Sequence, residues 1–267
     1  EILRCLVGSE MCIRDSVKSV AVVGSRNCSE YGRSVAMELG RVLATAGAQV
    51  ISGLALGIDV AAHQGAVLAG GTTFAVLAGG VDLCYPKQNF NTYVDIMRNG
   101  GVISEFPDNT LTRPGMFPLR NRIISGLCDA VIIVEAGMKS GSLITAAQAL
   151  EQNRQVYAVP GRIGDGNSEG CNHLIWQGAQ IVCSYDDLLA ELDLDISDST
   201  KTSEKNILLA SDEKMLYSQL LDFSPKSLET LIKETGMSQM QVFQALLTLE
   251  LKGLIKEISK NFYIRIL

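Results

Sequence analysis

The side chains best suited to chemistry are Arg26, Arg120, Arg122 and Lys139. Arg26 follows Gly24-Ser25, Lys139 precedes Ser140-Gly141-Ser142, and Arg120 and Arg122 flank Asn121 just after Phe117-Pro118. Two further glycine turns, Gly53 to Gly57 and Gly79-Gly80, carry no cation. A glycine turn between a strand and a helix points backbone N–H groups and the positive end of the helix at an anion. A guanidinium adds a planar fork that fits phosphate. One such loop is weak evidence, because Gly24 also serves as a plain tight turn and Arg26 as a solvated charge. Several of them along one edge suit a strand of nucleic acid better than a single mononucleotide. A single strand also needs stacking surfaces. Phe117, Tyr85 and Phe106 lie in the right loops, although each also reads as a core anchor.

Other chemistries fit poorly. The loop at Gly24 is not GxGxxG and no acidic residue closes the second strand, which argues against a dinucleotide-dependent oxidoreductase. No GxxxxGK[ST] occurs, so a Walker-type ATPase is not indicated, and no nucleophile elbow is expected at Ser142, which is followed by Leu and Ile. His63 lies among small residues and reads as structural; His173 has no acidic partner nearby in sequence. Asp59 reads as the N-cap of a helix over Val60 to Leu68, and Glu135 as a group that positions a loop. Seven cysteines without CxxC spacing and two histidines make no zinc site. No catalytic residue, metal or cofactor is expected.

Positioning these loops requires strands and helices in alternation. Apolar runs at Val20 to Val23, Ala48 to Ile51, Phe74 to Leu77, Val102 to Ser104, Ala130 to Val134, Gln155 to Val159 and Gln180 to Val182 read as strands. Helical spacing falls between them, from Tyr31 to Leu43 through Leu143 to Gln152 and Asn172 to Gln177. The pattern predicts an α/β fold with a doubly wound, mostly parallel sheet. Its glycine loops follow strands and gather at the carboxyl edge, where such sheets bind ligands.

Of the 267 residues, 47% are hydrophobic and only 19% charged, which suits a sheet buried on both faces. The net charge of -6 argues against non-specific electrostatic binding of nucleic acid by the whole molecule. The cysteines, with Cys128 and Cys183 in apolar runs, point to buried free thiols and a reducing cytosol. No run reaches the length of a membrane span.

Residues 17–192 form the sheet domain in this reading. Residues 1–16 fit no clear element and read as foreign sequence joined to a truncated gene, with an ordinary strand and loop as the alternative. Residues 193–210, rich in Asp, Ser and Thr, read as a flexible linker. Residues 211–267 read as three helices and a hairpin, a small winged-helix module. Its third helix carries Gln239, Gln241 and Gln244 rather than a basic face, which favours a protein contact or regulatory role over DNA binding.

At these same residues the chain resembles the DprA/Smf family. The matching stretches are Gly24-Ser25-Arg26 with Tyr31-Gly32, Ser52 to Ala55 with Gly57-Ile58-Asp59, and Gly79 to Asp82 with Tyr85-Pro86. Phe117 to Ile124, Glu135-Ala136, Ser140 to Ser142 with Thr145-Ala146, and Ala158 to Gly161 follow in order. The resemblance implies an extended Rossmann-like fold, dimers, and a cytoplasmic role in which the protein binds and protects incoming single-stranded DNA and helps load the RecA recombinase. It places DNA contacts at Arg26, Lys139 and the Arg120-Asn121-Arg122 block. The acidic net charge narrows this to a groove with salt-sensitive affinity. A related Rossmann-like group, which hydrolyses nucleoside monophosphates at the glycosidic bond, is the enzymatic alternative. Its PGGxGTxxE-type loop is answered here by Lys139 to Thr145, without the Glu. A third reading makes the protein mainly a recombinase-binding adaptor.

Overall fold

In the computed structural model the described residues are 6–7, 17–194, 211–220, 226–252, 254–259 and 261–265. Contacts divide the chain into two compact units, residues 1–200 and 201–267.

The first unit holds strands β1 (Leu6–Val7), β2 (Ser19–Val23), β3 (Gln49–Ser52), β4 (Thr73–Leu77), β5 (Gly100–Ser104), β6 (Ala130–Ile133), β7 (Gln155–Ala158) and β8 (Gln180–Ile181). They form one sheet in the order β1-β5-β4-β3-β2-β6-β7-β8. Every pairing is parallel except β1 with β5, where Leu6 faces Ile103 and Val7 faces Val102. The helices are α1 (Glu30–Thr45), α2 (Ile58–Leu68), α3 (Phe90–Asn99), α4 (Met116–Gly126), α5 (Gly141–Glu151), α6 (Glu169–Trp176) and α7 (Tyr185–Glu191). Covered on both faces, β2 buries all five of its residues. Ala21 and Val23 join Ile51, Phe74, Ile133, Ile124 and Ala146 in the main core cluster. Leu54, Leu77, Tyr93 and Ile96 form a second cluster where α3 meets β4 and β5.

Chain direction across the sheet reverses at β2. From β2 the chain runs through α1 to β3 on one side, and from β5 it returns through α4 to β6 on the other. The strand ends part there and leave a crevice. Beside it α1 and α2 pack backbone to backbone. A Cβ on Gly40 would lie 2.1 Å from the Ala62 carbonyl oxygen, and one on Gly65 would lie 1.8 Å from that of Met37.

The second unit comprises α8 (Ser211–Gln219), β9 (Lys226–Ser227), α9 (Leu228–Thr235), α10 (Gln239–Leu251), β10 (Ile255–Ser259) and β11 (Phe262–Arg265). Its three strands are antiparallel in the order β10-β11-β9. Gly236, at φ 66°, ends α9 in the left-handed conformation that glycine accepts without strain. Ser238 opens α10 with a full capping box to Gln241. Leu216, Leu231, Val242, Leu246, Leu249, Ile255 and Tyr263 make its core. The other side of α10 exposes Met240, Phe243, Leu247 and Leu251, and the helix has no Lys or Arg.

Several expectations change. Asp59 is not the N-cap of α2: Gly57 holds that place at φ 81°, and Asp59 sits in the first turn, buried. Cys183 is exposed beyond the short edge strand β8, whereas Cys128 is buried. Short elements outside the sequence reading include α7, capped by the Ser184 side chain accepting from Asp187 N, a single 3-10 turn at Lys87–Asn89, and β9, which completes the small sheet. Within residues 1–16 only Leu6 and Val7 are described, as β1. Of the expected linker, residues 195–210 lie outside the described residues. Leu194 packs onto the first unit with its N–H on the Leu189 carbonyl at 2.9 Å.

Candidate nucleic-acid interface

At the crevice between the ends of β2 and β6 lies a cleft of about 410 Å³. Gly24, Ser25, Arg26 and Asn27 form one wall. Phe117, Pro118, Arg120, Asn121 and Ile124 of α4 form another. Ser140, Gly141, Ser142, Ile144 and Thr145 bring in the start of α5, and Val23, Ala55 and Asp59 complete it.

The wall that carries Arg26 is fixed by Glu135, two residues past the end of β6. Ser25 N donates to the Glu135 backbone oxygen at 2.7 Å. Ser29 N donates to Glu135 Oε2 at 2.9 Å, and the Ser29 hydroxyl donates to Oε1. Gly32 leaves room for this carboxylate, since a Cβ there would lie 2.3 Å from the Glu135 carboxyl carbon and displace it. The first turn of α1 is therefore already occupied by an internal carboxylate. It does not offer its positive end to an outside anion, contrary to the expectation for the Gly24 loop.

The start of α5 differs. Ser140 caps it, its side chain accepting from Ser142 N at 3.4 Å, and the two hydroxyls lie 2.7 Å apart. Gly141 is exposed, with no atom within 4 Å of where a Cβ would stand. The positive end of this 11-residue helix and its small polar side chains face the cleft, an arrangement that favours an anion.

Across from it the exposed Arg26 guanidinium lies 4.5 Å over the Phe117 ring, a cation–π contact that holds the charge at the rim. Phe117 also meets Tyr85 at 6.1 Å between ring centres. Arg120 is a different kind of cation. It is buried, donates through Nη1 to the Val76 carbonyl, and leaves Nε without a hydrogen-bond partner. Burial lowers its pKa to about 10, opposed by the nearby Asp59 charge, so it stays protonated at neutral pH. Asp59 accepts from Gly53 N at 3.2 Å and Ala55 N at 3.4 Å. Burial pushes its carboxyl above the usual range, against the pull of Arg120.

The remaining expected residues sit elsewhere. Arg122 is ion-paired with Glu105 outside the cleft. Lys139 is exposed on the turn before α5 without lining the cleft. Gly53 packs against Arg120, where a Cβ would fall 1.9 Å from Nη1, and Gly57 packs against the Ser25 and Arg26 carbonyls. Gly79 and Gly80 are buried beside the 107–112 loop, and Gly80 N is spent on the Thr110 carbonyl at 2.9 Å. These glycines let loops approach one another closely. Ile124, Ile144 and Thr145 line the cleft without having been singled out for it. The signal was helical spacing, since Thr145 lies one turn beyond Gly141.

Comparison with known proteins agrees with this architecture. Residues 6–193 match the family described as DNA recombination-mediator protein A, and residues 200–259 match the DprA winged helix domain. The chain is 47% identical over 174 residues to the DNA processing protein DprA of Streptococcus pneumoniae, covering 65% of this chain and 61% of that protein. It is 36% identical over 251 residues to the protein Smf of Escherichia coli, covering 91% and 67%. The chain thus spans about three-fifths of the pneumococcal relative. An X-ray structure of the pneumococcal protein superposes with a TM-score of 0.62 at 47% identity, covering 66% of this chain and 62% of that one. A Helicobacter pylori DNA processing protein A, described for its single-stranded DNA binding mode, superposes at 0.66 with 31% identity, covering 71% and 87%. The chain belongs to the DNA recombination-mediator protein A family, the DprA/Smf family of DNA processing proteins.

Proposed function

We propose that this protein binds single-stranded DNA in the β2–β6 cleft and acts by binding rather than by chemistry. In this reading it protects the strand and helps load the RecA recombinase during natural transformation or recombination, as a cytoplasmic dimer. The observation that carries the reading is the convergence of the α5 start, the Arg26–Phe117 pair and the Arg120 guanidinium on one cleft. Together they supply anion recognition and an aromatic face without reading base edges, the combination used for sequence-tolerant binding of single strands. The single-stranded DNA binding mode described for the Helicobacter pylori relative supports it. Catalysis is disfavoured because Asp59 is the single carboxylate among the described residues lining the cleft. It accepts from two backbone N–H groups, and glycosidic hydrolysis calls for a pair of carboxylates in distinct roles. Among the described residues no helix is long and apolar enough to cross a membrane.

Fluorescence anisotropy of a labelled single-stranded oligonucleotide, titrated at several salt concentrations with a duplex competitor, tests the proposal. Binding that resists the duplex and weakens with salt, with a slope of about -0.7 per phosphate neutralised, is expected. Absence of binding at low salt would overturn it.

A further inference from the structure

A second cleft opens on the same edge of the sheet, beyond the carboxyl ends of β4 and β5. It has a volume of about 420 Å³ and is lined by Leu83, Cys84, Tyr85, Phe90, Leu111 and Thr112, with Asp82 and Lys87 also at its border. Resting on the single-strand reading above, we infer that this cleft is a nucleobase subsite for the same strand, with Phe90 as the stacking surface.

Three observations carry the inference. Large apolar side chains are exposed together here: Tyr85 at 52%, Phe90 at 56% and Leu111 at 72%. Such a group on a soluble surface marks a binding site more often than a solvated face. Phe90 is also held ready. Its ring lies against Tyr93 at 6.1 Å and 23°, and the Tyr93 hydroxyl is anchored on the Val81 carbonyl at 2.6 Å. The walls are fixed too, by Asp82 Oδ1 accepting from Asn109 N at 2.8 Å and by Asn89 Nδ2 donating to the Leu54 carbonyl at 2.9 Å. A preformed platform loses little entropy when a ligand lands on it.

The third observation is continuity. Tyr85 lines this cleft and touches Phe117, which lines the first one. An aromatic path therefore runs from the Arg26 rim across Phe117 and Tyr85 toward Phe90. Charge decides which part of the strand enters. Lys87 and Asp82 bring one charge of each sign to the lining, so the cleft carries no net charge to favour phosphate, and its apolar lining suits a base. Every base has a π-face, so the subsite is indifferent to sequence.

The test compares a labelled 12-residue oligothymidylate with a 12-residue abasic strand of the same backbone, using wild type, Phe90→Ala and Phe90→Leu in the full chain. Phe90→Ala is expected to weaken oligothymidylate binding about tenfold, leaving abasic-strand affinity and the salt slope unchanged. Phe90→Leu keeps the apolar body without the π-face and is expected to recover only part of the loss. Wild-type affinity for oligothymidylate in Phe90→Ala, or equal losses on both strands, would overturn the subsite while the first cleft stands. Failure of the wild type to bind either strand would instead defeat the single-strand reading, and the subsite with it.

Discussion

Glu135 places its carboxylate on the first turn of α1, where Oε2 accepts from Ser29 N at 2.9 Å. Two elements distant in sequence are thereby locked together, since Glu135 follows β6 and Ser29 opens α1. The internal anion satisfies the helix end and fixes the loop that carries Arg26. The start of α5 lines the cleft on the opposite wall without such an internal partner among the described residues.

Arg26 and Arg122 are expected to behave differently on replacement. Arg26 stands at the cleft over Phe117, whereas Arg122 is paired with Glu105 away from it. Arg26→Ala should weaken single-strand binding irrespective of base sequence and reduce the salt slope by about 0.7. Arg122→Ala should change affinity less than twofold, given the small worth of exposed ion pairs. Salt-dependent anisotropy on both variants checks this, and equal losses would move the phosphate path toward Arg122.

Glu135→Gln keeps the shape of the side chain and removes its charge. The charge-assisted bonds from Ser29 should weaken, costing about 1.5–3 kcal/mol of stability. Urea unfolding should show a lower midpoint at constant slope. An unchanged midpoint would mean that the charge at the start of α1 is not what secures the loop.

Gly65→Ala tests the contact between α1 and α2. The added Cβ would stand 1.8 Å from the Met37 carbonyl oxygen, so the helices must separate. Overpacking of this kind costs about 1–3 kcal/mol, again read from the unfolding midpoint. An equally mild change at the open Gly141, which has room for a Cβ, should cost much less stability.

His63 links stability to pH. Thr73 donates its hydroxyl to the Val50 carbonyl, so His63 Nδ1, 2.7 Å from Thr73 Oγ1, must be the nitrogen that carries the proton. Nε2 is buried without a hydrogen-bond partner. Burial, together with the Arg120 charge, lowers the pKa from 6.5 to about 3. The unfolded chain thus takes up a proton that the folded one refuses. This contribution is fully present above pH 6.5 and is lost as pH falls toward 3, by up to about 1.4 kcal/mol per pH unit. Unfolding measured from pH 7 to 5, above most carboxylate titrations, should show this loss in the wild type and a smaller one in His63→Asn.

The strands were legible because β2, β4 and β6 are nearly continuous apolar runs, as burial on both faces demands. The ends of α1 and α10 were legible to within a residue or two, since Ser29 and Ser238 cap them locally. Asp59 misled because an acidic residue near a helix start reads as a cap. Here the reach of its carboxylate back to Gly53 and Ala55 depends on how the loop folds over it. Short α7 and β9 carry too few residues for a periodic signal.

The sequence by itself determined the alternation of strands and helices, the glycine turns that follow strands, and a winged-helix tail whose third helix has no basic residue. These are local properties of periodicity and residue type. Only the tertiary structure decided which glycines face a cleft and which face their own chain, because close approach depends on partners far away in sequence. It also sorted the cations. Arg26 stands over Phe117, Arg120 is buried beside Asp59, and Arg122 is spent on Glu105. A charge acts on a ligand only where burial and pairing leave it able to do so.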